Sequence, residues 1–138
     1  DPRGDEGHHH FSYALLPHDS GFSAESVVRP GYEFNIAPVV HPVPPDTPSI
    51  DSLLTVDASN VIAETVKWAE EGNAFVVRLY EAERSGTHAE IALGVSVSRV
   101  EETNMLEEEA EELSVKNGRL RLYFRPFEIK TLKVTVGN

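Results

Sequence analysis

Apolar and polar residues alternate over short runs along most of this chain, which is the pattern of half-buried β-strands. After Pro48 the runs are separated by turn sequences such as Glu71-Gly72-Asn73 and Lys116-Asn117-Gly118. The pattern predicts an all-β fold, an antiparallel β-sandwich of about eight strands. The predicted strands cover residues 52–56, 61–69, 74–82, 89–97, 100–105, 113–115, 120–124 and 129–136.

The orientation of the strand predicted at 61–69 relative to the core is ambiguous. Val61 and Ala63 share one face of a regular strand, whereas Ile62, Val66 and Trp68 share the other. Both faces carry apolar residues, so the sequence does not decide which one points into the core.

The residues before Pro48 do not continue this series of strands and turns. Residues 8–16 are predicted to form a first strand that ends at Pro17, with alternate apolar side chains on one face. Residues 23–29 predict a short helix that is capped by Ser23 and stopped by Pro30-Gly31. Further strands of the same sheet are expected to precede Asp1.

Residues 36–48 contain five prolines, which cannot form a helix or an interior strand. We expect an extended connection that crosses the domain surface, with a flexible interdomain linker as the alternative. The length of 138 residues fits one domain, 1–138. The start at Asp1, without Met or a signal peptide, leads us to expect a piece of a longer polypeptide.

The composition of the chain disfavours several classes of function. The net charge of -11 disfavours binding to nucleic acid or to an anionic membrane, because both carry phosphate charges. No run of about 18 apolar residues predicts a transmembrane helix. The chain has no cysteine, which excludes disulfides and thiol catalysis and is weakly consistent with a cytoplasmic location.

The histidines are candidate metal ligands. In a strand, His8 and His10 would share a face and could bind zinc together with a third group such as Asp5 or Glu6. The alternative is a polar strand entrance with no metal. The acidic run at 101–112 lacks calcium-loop spacing and is expected to be a solvated surface.

Aromatic and arginine side chains are candidates for sugar or interdomain contact. Tyr13, Trp68 and Tyr80 could stack on a pyranose ring, with core packing as the alternative. Arg78 lies in an apolar strand. Like the arginines at 121 and 125, it is expected to pair with a carboxylate such as that of Glu102 or Glu128, or to reach into a neighbouring domain.

Several stretches resemble the C-terminal end of glycoside hydrolase family 38 α-mannosidases. Residues 7–18, Gly-His-His-His-Phe-Ser-Tyr-Ala-Leu-Leu-Pro-His, are similar to the family pattern Phe-x-Tyr-Ala-Leu-x-Pro-His. Residues 67–81 contain Lys-Trp-Ala-Glu-Glu-Gly followed by Arg-Leu-Tyr-Glu, like the family's Lys-x-Ala-Glu-Asp-Gly hairpin. Residues 102–108 and the closing 125–132, Arg-Pro-Phe-Glu-Ile-Lys-Thr-Leu, complete the resemblance.

The resemblance implies a non-catalytic C-terminal β-domain of a retaining, zinc-dependent enzyme. It places the aspartate nucleophile, the zinc ion and the α-mannoside pocket in an N-terminal catalytic barrel, and it assigns none of these groups to His8 or His10. The expected role is to brace that barrel. The alternatives are a carbohydrate-binding module, a stand-alone interaction sandwich and an independently active enzyme. Because an incomplete sandwich would expose strand edges, a homodimer is also expected.

Overall fold

The computed structural model describes residues 4, 6–19 and 21–137. A five-residue π-helix, Ala24–Val28, leads directly into the α-helix α1, Arg29–Asn35. Eight strands follow: β1 (Leu54–Val56), β2 (Val61–Trp68), β3 (Ala74–Glu81), β4 (Thr87–Leu93), β5 (Val97–Thr103), β6 (Glu111–Glu112), β7 (Arg119–Phe124) and β8 (Ile129–Val136).

The strands form two sheets that face each other. The smaller sheet has the order β1-β4-β7 and the larger has the order β2-β3-β8-β5-β6, with antiparallel pairing throughout. The predicted antiparallel sandwich of about eight strands is therefore confirmed. Within the described residues, no helix is long and apolar enough to cross a membrane.

The core lies between the sheets and follows the predicted alternation. Leu120, Leu122 and Phe124 of β7 are buried, while the residues between them face solvent. Removing such side chains from water contributes about 1.5–3 kcal/mol each, which is the main driving force for this packing. The core side chains of the other strands include Phe75, Val77, Leu79, Ala89, Ile91, Val100, Leu132 and Val134.

A β-bulge settles the orientation of β2. The pairing with β3 shifts between Ala63 and Thr65, so one extra residue is inserted into β2. Before the bulge Val61 and Ala63 point to the core face, and after it Val66 and Trp68 do. The two faces that the sequence left open are thus both used, one on each side of the bulge.

Two strand predictions in the sandwich are wrong. Residues 113–115 form no strand, and the short β6 lies just before them at Glu111–Glu112. The strand expected at 89–97 ends earlier, at Leu93, because the chain turns at 94–96, and the next strand, β5, begins at Val97 and not at residue 100. The turn needs Gly94, because a Cβ atom there would lie 1.8 Å from the Ser52 carbonyl oxygen. The predicted turn at Asn117-Gly118 is confirmed, with φ of 51° and 70°, as a two-residue hairpin turn requires.

The N-terminal region departs further from prediction. Residues 8–16, all described, have no strand partner, and the predicted first strand is wrong for this structure. The helix does not stop at Pro30-Gly31 but continues to Asn35, because a proline in the first helical turn removes no needed hydrogen bond. The predicted cap is confirmed, since the Ser23 hydroxyl accepts from the Ser26 amide at 3.0 Å.

The helix packs on the outer face of the larger sheet. Ala24 is fully buried against Ile62 and Ala82, and its amide donates to Glu83 Oε1 at 2.6 Å. The proline-rich residues 36–48 then run exposed, without regular structure, toward β1. All eight strands consequently lie between residues 54 and 136.

Candidate functional site

An uncovered apolar groove lies at the β2 edge of the sandwich. Val66 stands opposite Val77 and Trp68 opposite Phe75, so these side chains point to the same side as the core residues of β3. Val66 is nevertheless 50% exposed and Trp68 72% exposed. Inward-pointing apolar side chains that remain in water indicate a surface that a partner covers.

The groove exists because the two sheets differ in extent. β2 has eight residues, whereas β1, the edge strand of the opposite sheet, has three. β1 covers the start of β2, where Val61 is buried, but does not reach Trp68. The resulting cavity measures about 460 Å³ and is lined by Leu53, Val66, Lys67, Trp68, Phe75, Val95 and Val136.

The chemistry of the groove favours binding over bond breaking. Its lining residues, all of which the structure describes, include no carboxylate. Lys67 is the charged residue among them, but its side chain alternates with those of Val66 and Trp68 and so lies on the opposite face of β2. Lys67 itself is engaged, with its Nζ 2.6 Å from Glu107 Oε1. The groove therefore offers apolar area and one aromatic ring to a ligand or to another protein surface.

A loop from the far side of the larger sheet supports the groove. Glu107 receives the Lys67 ammonium and also accepts from the Glu70 amide at 3.0 Å. The hydrogen bond from Lys67 lowers the pKa of Glu107, and the same bond raises the pKa of Lys67. The expectation of a solvated acidic run is thus wrong for Glu107 and for Glu101, which is buried, although 108–112 are exposed.

Arg78 and Tyr80 lie away from the groove, on the opposite face of the sheet. Arg78 donates to Thr131 Oγ1 and to the Met105 carbonyl, both at 3.4 Å. The Tyr80 hydroxyl lies 3.3 Å from that of Tyr32, which joins α1 to the sheet. Burial, and then the bond to Tyr32, raise the pKa of Tyr80 to about 12.

The carboxylates expected to pair with Arg78 pair with other cations. Glu128 binds Arg125 at 2.8 Å, which confirms that pair, and Glu102 binds Lys130 at 2.8 Å. Arg78 instead has two neutral oxygen partners among the described residues. It fixes the loop that contains Met105 to the sheet.

The N-terminal candidates are not gathered into a site. His8, His10 and Tyr13 lie in the exposed segment before Pro17, far in sequence from any strand of the sandwich. Across residues 4, 6–19 and 21–137, no three His, Cys, Asp or Glu side chains are placed to hold a metal ion. Asp5, named above as a third ligand, lies outside the described residues, so zinc binding by His8 and His10 stays a prediction.

The buried Glu81 was missed by sequence reasoning. Its carboxylate accepts from Asn60 Nδ2 at 2.8 Å and from the amides of Glu83 at 2.7 Å and Phe127 at 3.0 Å. Burial raises the pKa of Glu81, but these donors together outweigh it and leave the pKa lowered. The only signal was a charged residue at the end of an apolar strand, in the Arg-Leu-Tyr-Glu stretch.

Comparison with known proteins identifies the sandwich. Residues 60–132 match the model of the glycosyl hydrolases family 38 C-terminal beta sandwich domain. The chain is 33% identical to human Alpha-mannosidase 2C1 over 96% of its own length, and 34% identical to the mouse protein of that name, also over 96%. It is 30% identical over 94% of its length to Alpha-mannosidase G of Dictyostelium discoideum.

The chain corresponds to a small part of these relatives. It spans 13% of the length of the human and mouse proteins and 12% of the Dictyostelium protein. The family match covers all the strands from β2 to β7 and the first half of β8. The chain therefore belongs to the family of glycosyl hydrolase family 38 C-terminal β-sandwich domains.

Proposed function

We propose that this chain is the non-catalytic C-terminal domain of a retaining, zinc-dependent α-mannosidase, and that it braces the catalytic barrel of the same polypeptide. The zinc ion and the α-mannoside belong to that barrel, and the enzyme is proposed to be cytoplasmic. The observation that carries the proposal is the groove beside Trp68. It is an apolar surface on a domain whose relatives are several times longer α-mannosidases.

The physical basis is the precision that catalysis demands. Catalytic groups must be held within about half an ångström of their productive geometry, which requires supporting elements around them. A misplacement of about 1 Å can lower the rate about a hundredfold. A sandwich packed through Val66 and Trp68 would restrict such movement in the barrel.

The test uses the full-length enzyme with the double substitution Val66→Ser and Trp68→Ser. We expect kcat/KM on an aryl α-mannoside to fall about tenfold to a hundredfold, because the domain would be held less firmly. The isolated chain should keep its melting temperature within a few degrees, since both side chains are already exposed. Phe127→Ser, which removes an exposed aromatic ring from a turn outside the groove, is the matched control.

Two results would contradict bracing. One is a barrel-only fragment that keeps the full kcat/KM of the intact enzyme. The other is a double variant with unchanged activity, unchanged domain release under limited proteolysis and unchanged stability. Either would show that the groove does not hold the barrel.

The exposed indole of Trp68 favours a second candidate, a carbohydrate-binding module. An exposed aromatic ring beside a groove can stack on a pyranose. Trp68 is the only tryptophan, so its fluorescence reports this one position. A saturable emission change during titration of the isolated chain with mannobiose would support sugar binding, and a flat titration would exclude it.

A further inference from the structure

The sequence of residues 8–16 has the alternation of a strand, although the segment forms no strand in this structure. Phe11, Tyr13 and Leu15 are 84%, 88% and 91% exposed, whereas the neighbouring Leu16 is 54% exposed. Three large side chains on alternate positions are thus open to water, and in a strand they would share one face. An isolated apolar face of this kind loses the stabilisation that burial would provide.

The other face of the segment already lies against α1 and the π-helix. Ala14, Leu16 and His18 line one cavity of about 280 Å³ together with helical residues. These helical residues are Ser26, Val27, Pro30, Gly31 and Phe34. One side of the segment therefore faces its own helix, whereas Phe11, Tyr13 and Leu15 are exposed.

The helix is in turn fixed to the sandwich. Ala24 is buried against Ile62 and Ala82, and Arg29 Nη2 donates to the Ser59 carbonyl at 3.3 Å. Since Leu16 is only eight positions before Ala24, the segment is held close to this anchor. Its open face is thereby presented next to the domain.

The comparisons separate this segment from the sandwich. The family model begins at residue 60, but the human and mouse relatives match 96% of the chain. The unmatched 4% of 138 residues amounts to about six residues, fewer than the nine of the segment. At least part of the segment therefore has a counterpart in α-mannosidases while lying outside the residues that match the sandwich model.

We propose that residues 8–16 form a β-strand of a sheet that belongs to the neighbouring part of the α-mannosidase polypeptide, with Phe11, Tyr13 and Leu15 in the core of that part. This inference rests on the proposed function, which supplies the neighbouring part. Addition of the segment to a sheet edge pairs its backbone groups, and its alternate side chains enter the apolar interior. The sandwich is then joined to the rest of the enzyme by a shared strand and by the groove.

Hydrogen exchange followed by mass spectrometry tests the strand directly. In the full-length enzyme, peptides that cover 8–16 should exchange at least about a hundredfold more slowly than in the isolated chain, because strand amides are hydrogen-bonded. Peptides from β3 should be protected in both samples and serve as the internal reference. Equal, rapid exchange of 8–16 in the two samples would overturn the proposal.

A pair of substitutions in the full-length enzyme tests which face is buried. Tyr13→Asp should lower the melting temperature by several degrees, while Ser12→Asp, on the neighbouring position, should lower it by much less. In the isolated chain both substitutions should leave the melting temperature unchanged. Equal sensitivity of the two positions in the full-length enzyme would contradict an alternating strand.

Other occupants of the open face give different results. Protection of 8–16 in the isolated chain that grows with concentration would mean pairing with a second copy, which overturns the proposal. Slow exchange in a full-length protein that has no activity on α-mannosides would refute the proposed function but leave the strand pairing intact. Full α-mannosidase activity in a protein whose residues 8–16 exchange rapidly would support the proposed function but refute the strand pairing.

Discussion

Glu81 is the residue on which the junction of three chain segments depends. Its side chain is fully buried and joins Asn60 before β2, Glu83 after β3 and Phe127 before β8. Its hydrogen-bond partners are neutral donors, so the carboxylate is stabilised by hydrogen bonds and not by an ion pair. Such bonds to a charged group contribute about 1.5–3 kcal/mol.

The substitution Glu81→Gln should therefore destabilise the chain by about 2–4 kcal/mol. The glutamine would place an amide NH₂ among groups that are themselves donors, and at least one buried donor would lose its acceptor. Urea unfolding at neutral pH measures the loss. Glu70→Gln, at an exposed carboxylate, is the control and should change the free energy of unfolding by less than about 0.5 kcal/mol.

The same carboxylate predicts a loss of stability in acid. Its pKa is lowered in the folded chain from an ordinary value of 4.5, so its contribution is complete above pH 4.5 and is lost as the pH falls through the folded pKa. The lowered pKa values of Glu107 and Glu90, which are hydrogen-bonded to Lys67 and to Arg119, act in the same direction.

Unfolding measured from pH 7 to pH 3 should thus show a fall in stability that begins near pH 4.5. Glu81→Gln should show a smaller fall over the same range, because residue 81 no longer binds a proton on unfolding. Parallel curves for the two proteins would contradict a lowered pKa at Glu81.

Among the elements, those defined by local alternation and turn residues could be predicted from the sequence. β7 and β8 follow from strict alternation, and the turn at Asn117-Gly118 follows from residues that tolerate positive φ. The bulge in β2 could not be predicted, since both of its possible faces are apolar. The groove could not be predicted either, because it arises from the short β1 in the opposite sheet.

Contacts between residues that are far apart in the chain could also not be predicted from the sequence. The pair Lys67–Glu107 joins residues forty positions apart, and the sequence gives no reason to choose this glutamate from its acidic run. The strand predicted at 8–16, which the structure does not contain, is the informative failure among the elements. Its strand pattern is real, but in this structure the segment lies beside the helices and not at a sheet edge.

The turn between β4 and β5 should be sensitive to substitution of its glycine. Gly94→Ala should destabilise the chain by about 1–3 kcal/mol, because the new methyl group would collide with the Ser52 backbone and push the segment before β1 away. Gly31→Ala, in α1 with open space at its Cβ position, is the matched control and should be neutral or stabilising. Thermal unfolding of both variants checks this, and equal effects would contradict the close approach.

For the whole molecule, apolar association and charge repulsion act in opposite directions. The groove and the free edge of β1 favour contact between two isolated chains, whereas a net charge of -11 on each disfavours it. Added salt screens the repulsion, since the Debye length falls from about 30 Å at 0.01 M to about 10 Å at 0.1 M.

We therefore expect the isolated chain to form a homodimer whose association strengthens with sodium chloride. Sedimentation equilibrium at two salt concentrations measures this, and Trp68→Lys should weaken association because it adds a charge to the apolar surface. Sedimentation as a monomer at every concentration and salt level would contradict the dimer.

The bulge in β2 determines which side chains of this strand line the groove. If Glu64 instead stood opposite Arg78, so that β2 had no bulge, every later side chain of β2 would lie on the opposite face of the sheet. Lys67 would then face the groove, while Val66 and Trp68 would face the loop that now receives Lys67. Accommodating one extra residue as a bulge therefore keeps an apolar surface, and not a charged one, at this edge of the sandwich.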